Sequence, residues 1–198
     1  SEDDPVSRFV PGFDSRGKKR VTVAHLLTHT AGFPNAPFDS KSWPNQAERN
    51  KAFGDGRVDW EPGSRFHYHG TSSMWVLAAV MESITQRDFR EYLRTDLLAP
   101  LGLHDLHIGL QPNLHDRVAH VCSVGTMPSA ETFESMGLSG LSQANPDEHY
   151  LRSYNEPLKR EAGVPGAGGI MTAASLALFY QALLRPERSG VLSADIID

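Results

Sequence analysis

The chain has 198 residues, 39% of them hydrophobic, enough for one domain or for one large domain with a smaller lobe. Its 19 Lys and Arg against 24 Asp and Glu give a formal net charge of −5, and the basic residues are scattered apart from the short run Lys18-Lys19-Arg20, so nucleic acid and anionic membrane are poor partners. The single cysteine, Cys122, excludes an internal disulfide, no apolar run reaches the ~18 residues of a membrane span, and the acidic start Ser1-Glu2-Asp3-Asp4 is unlike a signal peptide. The redox compartment stays open on this evidence; a cytoplasmic setting is the expectation.

Asp4-Pro5 followed by Val6, Phe9 and Val10 predicts a short helical turn that ends at Pro11-Gly12, with Ser15 to Arg20 as a charged loop tip. Thr22 caps a short helix over Val23 to Thr28 that buries Val23, Leu26 and Leu27 and stops before Gly32. Phe33 to Gly63 is rich in Pro, Asn and Asp around one amphipathic piece, Gln46 to Phe53, the composition of a lid or pocket wall. Thr71 or Ser72 caps a core helix in which Met74, Trp75, Leu77, Ala78, Ala79, Val80, Met81 and Ile84 leave few polar faces. Asp88 to Glu91 has the spacing of a capping box, and Phe89, Tyr92, Leu93 and Leu97 form the inward stripe of the helix it starts, which Pro100 and Gly102 end.

His107 to Leu110 and Arg117 to Val124 are rich enough in Ile, Leu and Val to be short strands. From Gly125 to Gly169 the periodicity fails, predicting loop with at most short helical turns. Thr172 caps a last full helix carrying Leu176, Phe179, Tyr180 and Leu183, stopped by Arg185-Pro186, and Ser193-Ala194-Asp195 has the form of a further cap. There is no internal repeat.

Three groups of residues have the types that chemistry needs. His67 and His69, with His104, His107 and His115 downstream, raise a zinc site, but none has the His-x-His-x-Asp-His or His-Glu-x-x-His spacing, and surface or capping histidines are the simpler reading. Ser15-Arg16-Gly17-Lys18 has the Ser-x-x-Lys spacing that lets a lysine take a serine proton. The pairing needs a helix in a desolvated pocket, whereas this one contains a glycine among Arg16, Lys19 and Arg20, so a solvated loop is expected. Tyr68 follows the turn Pro62-Gly63 and precedes the buried helix; its hydroxyl could face a cavity there, but its chemistry alone favours a packed aromatic with a satisfied hydroxyl.

The order of segments says more. Asp4-Pro5-Val6-Ser7-Arg8-Phe9-Val10-Pro11, then Val21-Thr22-Val23-Ala24-His25-Leu26-Leu27-Thr28-His29-Thr30-Ala31-Gly32, then Glu61-Pro62-Gly63-Ser64-Arg65-Phe66-His67-Tyr68, then Pro100-Leu101-Gly102-Leu103, then Gly168-Gly169-Ile170-Met171-Thr172-Ala173-Ala174-Ser175-Leu176-Ala177 together resemble the β-lactamase-related serine hydrolases. That family holds class C β-lactamases, penicillin-binding DD-peptidases and family VIII carboxylesterases. His107 to Leu110, Asp116 to Ala119 and Asn155-Glu156-Pro157 are most similar to the carboxylesterase branch.

The resemblance implies an α/β, serine β-lactamase-like fold, present over residues 1–198 as a partial, helix-rich domain. It implies a hydrolase that forms an acyl-serine on a small ester or amide, with no metal or organic cofactor. Tyr68 stands where the family has the tyrosine of a Tyr-x-Asn motif, which shares proton transfer with a lysine. A phenol is a weak acid, so such a relay needs positive charge beside it. His69 and Gly70 then fall in the substrate pocket in place of the family's polar pair, and without that Asn esters are better matched than lactams; Gly168 and Gly169 border the same pocket. The family's Ser-x-x-Lys helix would precede Ser1 and its third motif would follow Asp198, so this stretch is expected to be inactive alone. A non-catalytic binding scaffold that keeps the fold is the alternative.

Overall fold

The computed structural model describes residues 1–36, 38, 40–122, 124–125, 128–136 and 151–192. The expected cap at Ser193 and the middle of the Gly125 to Gly169 stretch lie outside them.

Helix starts follow local polar chemistry. At α1 (Val23–Leu27), Thr22 Oγ1 accepts from His25 N, and His25 Nδ1 accepts from Thr22 N, a reciprocal cap with histidine in the usual place of glutamate. Asn45 Oδ1 accepts from Ala47 N and Glu48 N to start α2 (Gln46–Asp55). α3 (Ser72–Thr85) begins after Thr71 without a side-chain cap and ends on Gln86 in the left-handed region. Asp88 caps α4 (Phe89–Tyr92) through Arg90 N. α4 runs directly into a π-helical stretch, Leu93–Leu98, in which Ala99 N bonds to Arg94 O. α5 (Ala130–Ser135) and α6 (Pro157–Ala162) are short, α7 (Ala173–Leu184) is capped by Thr172 Oγ1 on Ser175 N, and α8 (Pro186–Ser189) follows it. No helix among the described residues is long and apolar enough to cross a membrane.

β1 (Leu106–Ile108) and β2 (Gly169–Met171) form an antiparallel pair in which Leu106 faces Met171 and Ile108 faces Gly169. The principal core gathers Val6, Val10, Phe13, Val21, Leu26, Phe33, Phe53, Trp75, Val76, Val80 and Phe89 around α1 and α3. Trp43 seals it: its ring lies 4.4 Å from that of Trp75 and 5.1 Å from that of Phe89, with the Arg49 guanidinium 4.2 Å above. A smaller core of Leu98, Leu103 and Leu106 receives Met171 and Phe179.

Four expectations are corrected. Lys18 is not solvated: it is 0% exposed, and its ammonium donates to Gly54 O, Gly56 O and Ser15 Oγ. The glycine that argued against a helix is what permits this, because Gly17 takes φ 86 and turns Lys18 inward beneath the end of α2. Burial depresses the lysine's pKa, with Arg16 adding to the effect. Second, Arg117 closes a 3-10 turn (Pro112–Arg117), and none of the described residues from Val118 to Val124 is in a strand. Third, Leu27 is exposed while Leu26 is buried, since five residues of helix present only one narrow inner face. Fourth, the extra residue of the π turn rotates the stripe after Tyr92, so Leu98 rather than Leu97 is buried.

Candidate active site

Residues 59–69 run alongside residues 29–33, joined by hydrogen bonds that begin at glycines. Gly32 takes φ 88; a methyl group there would lie 2.5 Å from Trp60 O, so only glycine allows this approach. Gly32 O accepts from Asp59 N at 2.6 Å, and Thr30 O accepts from Gly63 N at 2.9 Å. Further along, His29 O accepts from His67 N at 3.1 Å and His29 Nδ1 accepts from His69 N at 3.3 Å. The stretch containing Tyr68 is thereby laid against the turn that follows α1.

Tyr68 projects outward from this arrangement. It is 58% exposed, its ring centroid sits 4.9 Å from that of His29, and its hydroxyl makes no hydrogen bond among the described residues. Phe66, 68% exposed, approaches the same imidazole edge-on at 6.3 Å. Alternation along the extended stretch puts His69 on the opposite side, where it is 0% exposed. Its Nε2 accepts from Phe33 N at 3.0 Å and its Nδ1 donates to His67 O. Burial pushes its pKa below that of an ordinary histidine, against the pull of the His67 carbonyl, and the Nε2 acceptor role requires the neutral ring. Both nitrogens are thus committed to the backbone. Among the described residues no group of three or more His, Cys, Asp and Glu side chains is placed to hold a metal ion.

The second stretch expected to border the pocket reaches this region through Gly166. With φ 82, it leaves room such that a methyl group would meet Met74 Cγ at 2.8 Å and Gly70 O at 3.0 Å. Gly168 is buried in the turn that follows, donating to Val164 O at 2.7 Å, and Gly169 opens β2. The structure therefore brings the Tyr68 to Gly70 segment against the Gly163 to Gly169 turn, with Tyr68 toward solvent and His69 and Gly168 inside. Two surface cavities, of about 480 and 610 Å³, are lined by other residues, including Arg49, Glu82 and Asp88 in one and Leu101, Leu178 and Leu184 in the other. Sequence reasoning gave His29 no role of its own, although it lies in the Val21 to Gly32 segment that carries the resemblance; its left-handed conformation (φ 57), which few side chains tolerate, shows only in the structure.

A family model, Beta-lactamase, matches residues 1–196. The chain belongs to the beta-lactamase family. Among solved structures, this beta-lactamase family chain is similar to a penicillin-binding protein homologue from Caulobacter crescentus, at 28% identity with a TM-score of 0.69. It is also similar to a family VIII carboxylesterase, at 25% identity and 0.71. Each superposition covers 92% of this chain and 48% of the other. A Salmonella typhimurium protein named "Putative D-alanyl-D-alanine carboxypeptidase" is 30% identical over 117 residues, covering 50% of this chain and 26% of its own length. The chain thus spans about half the length of the solved structures it matches and a smaller part of that curated relative. The helix-rich fold with a small sheet is the beta-lactamase and penicillin-binding type.

Proposed function

We propose that the intact protein is a serine hydrolase acting on carboxylic esters, with amides of the lactam or peptide class as the lesser alternative. The observation that carries this reading is the phenol of Tyr68, exposed and without a hydrogen bond among the described residues, on the segment that packs against the glycine turn in a beta-lactamase family chain. The similarity to a carboxylesterase and to a protein named as a carboxypeptidase supports hydrolysis of a carboxylic derivative.

In this reading the nucleophilic serine and its lysine lie outside these 198 residues. Ser15 and Lys18 do not supply them: the Lys18 ammonium is occupied by the carbonyls of Gly54 and Gly56, and Ser15 Oγ donates to Gly12 O or Gly54 O. Tyr68 relays the proton that leaves the serine hydroxyl as it attacks the ester carbonyl. The tetrahedral oxyanion collapses to an acyl-serine with loss of the alcohol, and water then releases the acid. The buried His69 and Gly168 shape the wall without touching the reacting atoms.

The test is Tyr68→Phe in the intact protein. Removing a positioned proton relay should lower the acylation rate for a short-chain p-nitrophenyl ester by ~10²-fold or more, read from the pre-steady-state burst, with the circular dichroism spectrum unchanged. Undiminished turnover by the folded variant would remove the role.

A further inference from the structure

Among the residues that hold the Tyr68 stretch, one touches it on both sides. Its chain neighbours on both sides are hydrogen-bonded to His29: His67 N donates to the main-chain carbonyl of His29 at 3.1 Å, and His69 N donates to His29 Nδ1 at 3.3 Å. The Tyr68 ring rests on the same imidazole, 4.9 Å between centroids and inclined by 57°. Three contacts, two polar and one aromatic, therefore converge on a single half-buried side chain and its carbonyl.

The conformation of His29 makes this possible. With φ 57 it departs from the end of α1 so that its carbonyl is presented to His67 while its imidazole turns toward His69. An extended or helical residue here would separate the two acceptors. Because Nδ1 accepts, the imidazole proton is on Nε2, and the ring is neutral in this arrangement. The Phe66 ring approaches edge-on at 6.3 Å and the His69 ring lies 6.2 Å away, nearly parallel, so the imidazole is enclosed between aromatic groups.

We propose that His29 is a positioning residue for the Tyr68 proton relay, acting through its Nδ1 acceptor and its ring rather than by touching substrate. This rests on the reading of Tyr68 as the relay. The consequence is specific: the acceptor at the δ position and tolerance of positive φ are what the site needs, and asparagine supplies both, since its Oδ1 occupies the place of Nδ1 and it enters the left-handed region readily. Phenylalanine supplies a ring but no acceptor. Alanine supplies neither.

In the intact protein, His29→Ala and His29→Phe should each lower kcat for a p-nitrophenyl ester tenfold or more while KM stays within about twofold, because a misplaced relay weakens the transition state and not substrate binding. His29→Asn should restore kcat to within about threefold of wild type. A purely structural role would instead lower activity in proportion to the folded fraction, with no advantage for Asn. The Tyr68 ring resonances, assigned by comparison with Tyr68→Phe in tyrosine-labelled protein, should shift in His29→Ala. Phe matching or exceeding Asn in kcat, or a Tyr68 resonance unmoved in His29→Ala, would overturn the proposal. If the Ala variant fails to fold, the Asn and Phe pair decides it. If wild-type protein hydrolyses no ester, the functional reading fails, while the resonance measurement still tests whether His29 places Tyr68.

Discussion

α3 and α7 are both apolar helices of similar length, 14 and 12 residues, yet their surroundings are opposite. On α3, Trp75, Val76, Ala78 and Val80 are buried, because α1, Trp43 and Phe89 close on it from different sides. On α7 only Ser175 is buried. Leu178 and Tyr180 are largely exposed and Leu184 is 80% exposed, with Phe179 alone reaching the small core. A helix's composition states which of its faces would gain from cover; the cover itself is a second surface that another part of a chain must bring.

The largest effect should come from testing that difference directly. Trp75→Ala should cost about 4 kcal/mol, read from the urea midpoint, whereas Leu184→Ala should change stability by less than ~0.5 kcal/mol. Equal costs would erase the distinction between the two helices. Within the packed region, Lys18→Ala should cost about 3 kcal/mol by the same measurement, since it opens a cavity and leaves the Gly54 and Gly56 carbonyls without their donor. A loss below ~1 kcal/mol would mean that relief of the buried charge offsets the lost bonds.

A smaller, graded effect belongs to His69. Its pKa is depressed in the folded state, so the unfolded chain binds the proton more readily, and stability rises with pH wherever the two states differ. The contribution is complete above the ordinary histidine value of ~6.5 and is lost as pH falls from there through the folded value, with a slope of at most ~1.4 kcal/mol per pH unit. His69→Gln, which keeps an acceptor for Phe33 N, should reduce the acid slope of the stability curve by that one proton. An unchanged slope would place the titration elsewhere.

How far the sequence could be read depended on the distance over which each feature is decided. The caps at Thr22, Asp88 and Thr172 and the core helix through Trp75 were legible because they follow from neighbours within four residues. Lys18 was misread because its partners are 36 and 38 residues away and the run Lys18-Lys19-Arg20 carries no mark of them. The apolar residues Val118, Val121 and Val124 suggested a strand, but a ladder needs a partner. Instead a side chain, that of Asn155, takes the main chain of Val121, its Oδ1 accepting from Val121 N and its Nδ2 donating to Val121 O, both at 2.8 Å. Tyr68 stood out through the order of family-like segments and not through its own chemistry, and His29, which holds it, lay within the Val21 to Gly32 segment with nothing to mark it out from its neighbours.

The π turn at Leu93–Leu98 has a further consequence for how this chain tolerates changes in length. A bond from Ala99 N to Arg94 O spans one more residue than an α-helical bond, so the turn stores a single surplus residue between α4 and β1. Deleting one residue there would let the segment rewind as ordinary α-helix and leave β1 in register with β2. The same deletion within α3 would turn every later side chain by about 100° and carry buried residues toward solvent. The loop side of the Leu98 core is thus a slack point in the polypeptide, where gaps in alignments with its relatives should collect.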